Sequence, residues 1–421
     1  MRPVHRHTIL TVRLTAALLF VIASCSCGHP GDQATVVQAP SIESPFPDPA
    51  PRSRAADDAA RFVAGLPGKP GSAFADLEQN DAWKMHRAEL DRMWANTESH
   101  SLLSMHNFQA RELNSDSIRK STLFYPFSGP DALMMNVFFP HNSTYIMVGL
   151  EPPGTLPSPK DFDRKKSLAQ QLAAERKTVN DVLGRSFFIT QYMDRQFRGQ
   201  VTDGLFQPIA HLLVRTNHTI TGVRYVRIDD VGKVVDRDAG VKVANRGVEI
   251  DFVDDATRAS HRLYYFSLNL SDEKLADNKG FSEFVCQLKG MTTYFKATSY
   301  MTHRPEFSII RKLVLSGSST VLQDDSGLPY HLYTNDIWRV QLFGDYNRPI
   351  RPFLWLEQKD LRRAYQSGAS KPLNFHIGYG QARLPSNLLI ATRREPVERA
   401  SIVQPASTRS PRVPSPPVTS Q

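Results

Sequence analysis

Ser121-Thr-Leu-Phe-Tyr-Pro-Phe127, Pro130-Asp-Ala-Leu-Met-Met-Asn-Val-Phe-Phe139 and Thr144-Tyr-Ile-Met-Val-Gly-Leu150 follow one another with only short breaks. The first and third are short runs of β-branched and aromatic residues, which read as strands. The second opens with proline, whose fixed φ suits the first turn of a helix. A strand, a helix and a strand within about 30 residues give a right-handed crossover between two parallel strands. This unit predicts an α/β fold.

Downstream of it, helices are expected at Lys165–Leu183, Phe187–Gln196 and Leu205–Arg215. Strands follow at Gly222–Ile228, Gly247–Phe252 and Leu263–Leu268, the last two read as antiparallel. Helix Phe281–Leu288, strand Thr292–Ala297, helix Phe307–Leu315 and strand Ser319–Gln323 continue the alternation. Strand Trp338–Phe343, helix Lys359–Tyr365 and strand Leu373–Ile377 complete it. Alternation of this kind predicts a mixed, mostly parallel sheet flanked by helices. Upstream, Ala56–Leu66, Ala82–Trp94 and Leu102–Asn114 have helical spacing; Trp83, His86, Leu90, Met93 and Trp94 form one apolar face. They predict an N-terminal helical layer over residues 57–118, with the α/β domain over 119–393.

The ends differ in kind. Arg2, Arg6 and Arg13 precede the apolar run Leu14–Ile22, which ends in Ala23-Ser24-Cys25. This is the order of a bacterial secretory signal over residues 1–24, with Cys25 as the residue that carries the lipid. The run is shorter than the roughly 20 residues of a membrane-spanning helix. Ser26 in place of Asp predicts sorting to the outer membrane, with the domain facing the periplasm or the cell surface. Residues 25–56 contain Pro45-Phe-Pro-Asp-Pro-Ala-Pro51 and read as a disordered tether; residues 394–421, rich in Pro, Ser and Arg, read as a disordered tail.

Charge excludes one class of partner. The chain carries a formal +9, but three arginines lie in the leader, and from Arg393 onward five arginines face only Glu395 and Glu398. No basic stripe with interleaved aromatics remains in the middle, so nucleic-acid binding is not expected. Three cysteines, Cys25, Cys27 and Cys286, exclude a disulfide framework. Cys286, on an apolar helical pattern, reads as a small buried hydrophobe.

The polar clusters follow expected strands, and ligands of open α/β sheets bind beyond the carboxyl ends of strands. Ser128 and Asp131 bracket a tight turn before a helix, as caps or as ligand contacts. Glu151 ends the next strand before Pro152-Pro153. Lys296 ends another, where it needs a carboxylate partner; Glu151 or Asp324 would serve. Ser299 and His303 follow it, His303 as a base or a structural imidazole. Asp324-Asp325-Ser326-Gly327 reads as a turn whose oxygens would also suit a divalent cation, although no metal site is assigned. The catalytic candidates are Glu151, Lys296 and Asp324, with Ser128, Asp131, Ser299, His303, Asp325 and Ser326 as ligand contacts. Glu151 or Asp324 would act as base and Lys296 would stabilise an anion. There is no Gly-x-Ser-x-Gly elbow, phosphate-binding loop, dinucleotide fingerprint or His-Glu-x-x-His, so neither a reaction nor a cofactor is specified.

Phe124–Asp131, Phe138-Phe-Pro140, Gly149-Leu-Glu-Pro-Pro-Gly154, Lys296–His303 and Leu322–Pro329 together resemble a family of exported bacterial proteins of unknown function. The resemblance covers about Ala56 to Tyr379 and implies no catalytic role for any residue. Two functions stand open. One is an envelope lipoprotein with a ligand-binding or hydrolytic rim site for a small molecule or glycan. The other is a non-enzymatic assembly or scaffold lipoprotein whose protein partners the sequence does not name.

Overall fold

Every residue of β1 (Leu123–Tyr125) and of β7 (Met291–Phe295) is buried, and so are the four inner residues of β2 (Thr144–Gly149). Strands covered on both faces are what a parallel sheet core requires. The computed structural model describes residues 53–163, 167–185, 203–237, 245–382 and 385–395; the signal and Cys25, most of the tether, the expected helix Phe187–Gln196 and nearly all of the tail lie outside them. All described residues belong to one compact unit, Ser44–Gln421.

The remaining strands are β3 (His218–Ile228), β4 (Val234–Asp236), β5 (Arg246–Asp254), β6 (Ser260–Ser267), β8 (Ser318–Gln323), β9 (Trp338–Gly344) and β10 (Asn387–Arg393). They form one mixed sheet in the order β4-β3-β5-β6-β2-β1-β7-β8-β10-β9, an α/β fold. The expected β1–helix–β2 unit is present, with Leu123 opposite Tyr145 in parallel register. Parallel pairing extends from β6 through β2, β1 and β7 to β8. The expected antiparallel pair Gly247–Phe252 and Leu263–Leu268 is present as β5 and β6. The expectation of a mostly parallel sheet is corrected by the other antiparallel pairs, β4 with β3 and β3 with β5 at one wing, β8 with β10 and β10 with β9 at the other. Burial alternates along much of β3, the pattern of an antiparallel strand with one wet face.

Two core clusters cover the two faces. Helices Arg54–Val63, Leu103–Glu112, Ala132–Phe138 and Phe206–Arg215 pack with Tyr125, Tyr145, Met147 and Tyr265 on one face. Helices Lys279–Gln287, Ser308–Gly317 and Lys359–Gln366 pack with Phe124, Ile146, Phe266 and Phe295 on the other. The N-terminal helices are tied to the sheet by polar contacts as well: Asp57 accepts from the backbone N–H of Ile220 at 3.0 Å, and Arg215 donates to the Ala64 carbonyl at 2.7 Å.

Two local expectations fail. Leu373–Ile377 is not a strand, because Lys371 bridges β9 and the next residue is Pro372, which has no N–H to extend the ladder. The chain beyond it instead supplies β10, inserted between β8 and the edge strand β9. Cys286 is exposed rather than buried, on the outer side of helix Lys279–Gln287. Among the described residues, no helix is long and apolar enough to cross a membrane.

Candidate functional site

The direction of the crossovers creates a crevice. From β1 the chain passes through helix Ala132–Phe138 to β2 on one side; from β7, on the other side of β1, it passes through helix Ser308–Gly317 to β8. Crossovers of one hand that step in opposite directions leave their helices on opposite faces, as the two core clusters show. Between β1 and β7 neither helix closes the carboxyl end. This is a topological switch point, the place where ligands of open α/β sheets bind.

Asp131 and Lys296 meet across that crevice. Asp131 follows β1 and caps helix Ala132–Phe138, its Oδ1 accepting from the Met134 N–H at 3.3 Å. Its Oδ2 accepts from the Tyr125 hydroxyl at 2.8 Å and pairs with the Lys296 ammonium. Lys296 is one residue past β7; it and Asp131 are 5% and 4% exposed. Isolated charges so deep are strongly disfavoured, so each is compensated by the other. Burial and the Asp131 charge raise the Tyr125 hydroxyl well above the ordinary tyrosine range, so it remains a donor. Its ring lies 4.5 Å from that of Tyr294.

The pair lines a cavity of about 190 Å³. Phe127, Leu150, Leu268, Leu270, Met301 and Phe307 give it an apolar wall. The loops after β6, β2, β1 and β7 all contribute. An ammonium has three donors and Asp131 engages one, which suits the site to an oxygen acceptor carried on an apolar body.

The turn that carries Lys296 is strained. Ala297, Ser299 and Tyr300 have φ of 50°, 53° and 53°, a region that costs of order 1–3 kcal/mol for a residue with a side chain. Side chains hold it there. The Ala297 N–H donates to Asp324 Oδ2 at 2.7 Å, the Thr298 N–H to Ser326 Oγ at 2.8 Å, and the Ser299 N–H to the Tyr379 hydroxyl at 2.9 Å. Tyr379 in turn donates to the Ala297 carbonyl at 3.0 Å. Gly378, at φ 54°, lets the chain pass Asp324, since a Cβ there would lie 2.6 Å from Asp324 Oδ2.

The candidates therefore separate into roles. Lys296 pairs with Asp131 rather than with Glu151, which follows the non-adjacent β2, or with Asp324, which follows the other neighbour β8 but turns its carboxylate to the Ala297 and Ser326 N–H groups. Asp324 also receives the Ser326 N–H at 3.0 Å and the Ser326 hydroxyl at 2.5 Å, so its carboxylate is a strut for the turn. Burial raises its pKa, against these hydrogen bonds and the Lys296 charge. Asp325 accepts from Tyr300 and, at 2.9 Å, from Asn387. Burial, then the neighbouring Asp324 charge, pushes it up to about 7. Ser128 lines the cavity, but its hydroxyl bridges to β2: it donates toward the Val148 carbonyl at 3.2 Å and accepts the Val148 N–H at 3.1 Å. Ser299 lines the same cavity.

Glu151 and His303 do not line it. Glu151 accepts the Tyr265 hydroxyl on its backbone carbonyl at 2.7 Å. His303 packs edge-on against Tyr300 with ring centres 5.2 Å apart, and burial lowers it to about 4. Among the described residues, no group of three or more His, Cys, Asp or Glu is arranged to hold a metal ion.

Sequence reasoning missed Tyr125, Gly378, Tyr379 and Asn387. Tyr125 was visible as an inward strand position; nothing local marks Tyr379 or Asn387, which reach the site from a segment more than 50 residues past β8. Comparison of the chain with family models, with curated proteins and with solved structures gives no match.

Proposed function

We propose that this protein is a lipid-anchored envelope protein that binds a compact small molecule at the β1/β7 switch point. The observation that carries the binding half is the buried Lys296–Asp131 pair lining an apolar-walled cavity. The ligand class is an apolar body with an oxygen-bearing head, such as a carboxylate or carbonyl, directed to the Lys296 ammonium. Binding is favoured over hydrolysis because, of the two base candidates, Asp324 spends its oxygens on the N–H groups of Ala297 and Ser326 and Glu151 does not line the cavity. At about 190 Å³ the cavity falls below the roughly 300–1,000 Å³ of drug-sized sites, which sets the ligand to small-metabolite size. The anchoring half rests on residues 2–25 alone.

A thermal-shift screen of short-chain carboxylic acids and ketones tests the site on wild type, Lys296→Met and Leu150→Trp. Leu150 is exposed at the cavity mouth, so its variant narrows the opening without touching the buried pair. Stabilisation of wild type that both variants lose supports the reading. A screen in which no compound raises the wild-type Tm, or in which Leu150→Trp responds as wild type does, would leave the scaffold alternative in its place. For the anchor, metabolic labelling with a fatty acid should mark wild type and spare Cys25→Ala; an unlabelled wild-type band refutes it.

A further inference from the structure

A larger cavity, of about 550 Å³, opens on the other side of the Ala297–Tyr300 turn, with Asp324, Asp325 and Tyr379 shared between its lining and the struts of that turn. Asp325 and Asn387, 7% and 9% exposed, are bonded to one another in it. Tyr346 and Tyr379 add aromatic wall. Arg348 and Arg351 also line it, both exposed.

Among the described residues, these two arginines share the lack of a carboxylate partner with others such as exposed Arg339 and Arg363, but of these four only they line this cavity. Arg215, Arg224, Arg262 and Arg362 each have a carboxylate partner. Arg348 and Arg351 have neither an ion pair nor a side-chain hydrogen bond among the described residues, although three aspartates line the same cavity. The reason is visible for two of them: Asp324 and Asp325 are already held by Ala297, Ser326, Tyr300 and Asn387. A guanidinium left over in a cleft is suited to bidentate capture of a carboxylate or phosphate. Beyond the bonds already described, the Asp325 carboxylate and the Asn387 amide keep further acceptor and donor capacity, as sugar hydroxyls demand, and the cavity's volume falls in the range of small-molecule sites.

We infer that this cavity is a second binding site, distinct from the one at Lys296, and that it takes an acidic sugar: hydroxyls toward Asp325, Asn387 and Tyr379, and a carboxylate or phosphate on Arg348 and Arg351. Titration calorimetry of the full chain with glucuronate, glucose 6-phosphate and glucose tests this. The acidic sugars should bind at least tenfold tighter than glucose, the tighter of the two identifying the anionic group. Arg348→Ala/Arg351→Ala should weaken them at least tenfold, and Leu150→Trp, at the other cavity, should leave them unchanged. Since both arginines are exposed, the double variant should keep the wild-type Tm. Acidic sugars that fail to bind wild type, or that bind the double variant equally, overturn the assignment. Inorganic phosphate or acetate binding as tightly as the acidic sugars reduces the site to an anion patch and overturns it too.

Discussion

At the scale of single residues, the Lys296–Asp131 pair is the most consequential contact. Removing one partner leaves a buried charge, which costs about 3–5 kcal/mol, whereas replacing both with apolar groups is often near neutral. Lys296→Met and Asp131→Leu should therefore each lower the urea midpoint strongly, and the double variant should recover much of the loss. Additive losses in this cycle would show that the charges are not coupled. Asp325 makes a different, pH-dependent prediction. Its folded pKa of about 7 lies above the ordinary value near 3.9, so the native state binds the extra proton. The stability it contributes is present below about pH 4 and lost as pH rises through about 7. Asp325→Asn should gain on wild type in Tm from pH 5 to pH 8. His86 and His303, both lowered to about 4 by burial, act in the opposite sense: their stability is present above pH 6.5 and lost as pH falls through about 4. An Asp325→Asn difference that is flat between pH 5 and 8 would contradict the raised carboxyl.

At the scale of elements, the turn after β7 and the strand β10 matter most. Ala297 in the left-handed region costs energy that glycine would not. Ala297→Gly should raise stability by about 0.5–1 kcal/mol in urea unfolding, the released strain outweighing the added freedom of the unfolded chain. A loss instead would mean that the turn is held without strain. Gly378→Ala meets both a positive φ and the Asp324 carboxylate and should cost more than about 1 kcal/mol. β10 closes the β8–β9 gap along seven residues, so a chain ending at Ser386 leaves two inner ladders unpaired. It should lose cooperative unfolding by circular dichroism. Asn387, the first residue of that strand, takes Asp325 with it.

At the scale of the whole molecule, the arrangement follows from two crossovers that leave β1 and β7 in opposite directions. That topology places both cavities on the carboxyl rim and separates them with one strained turn. Much of the surplus positive charge lies away from this rim in the sequence, with three arginines in residues 1–24 and five from Arg393 onward.

The sequence by itself determined what periodicity and composition report. Buried runs at β1, β2, β7 and β8, the crossover helix, which begins at Ala132 behind its Asp131 cap rather than at Pro130, and the apolar faces of the N-terminal helices are local signals, since each residue's side of a strand or helix depends on its near neighbours. The rim clusters were legible for the same reason, as polar groups at the ends of apolar runs. Only the tertiary structure decided who meets whom. Lys296 found Asp131 rather than Glu151 because strand order, which spacing along the chain does not encode, put β7 beside β1 and not β2, and it missed Asp324 because that carboxylate holds the N–H groups of Ala297 and Ser326. Antiparallel wings, the loss of Leu373–Ile377 as a strand and the entry of β10 were decided by competition for ladder partners across long stretches of chain. The role of Asp324 changed likewise, from candidate base to support, once the backbone N–H groups it holds had come within reach, and Ser128, read as a cap or a ligand contact, came to bridge to β2.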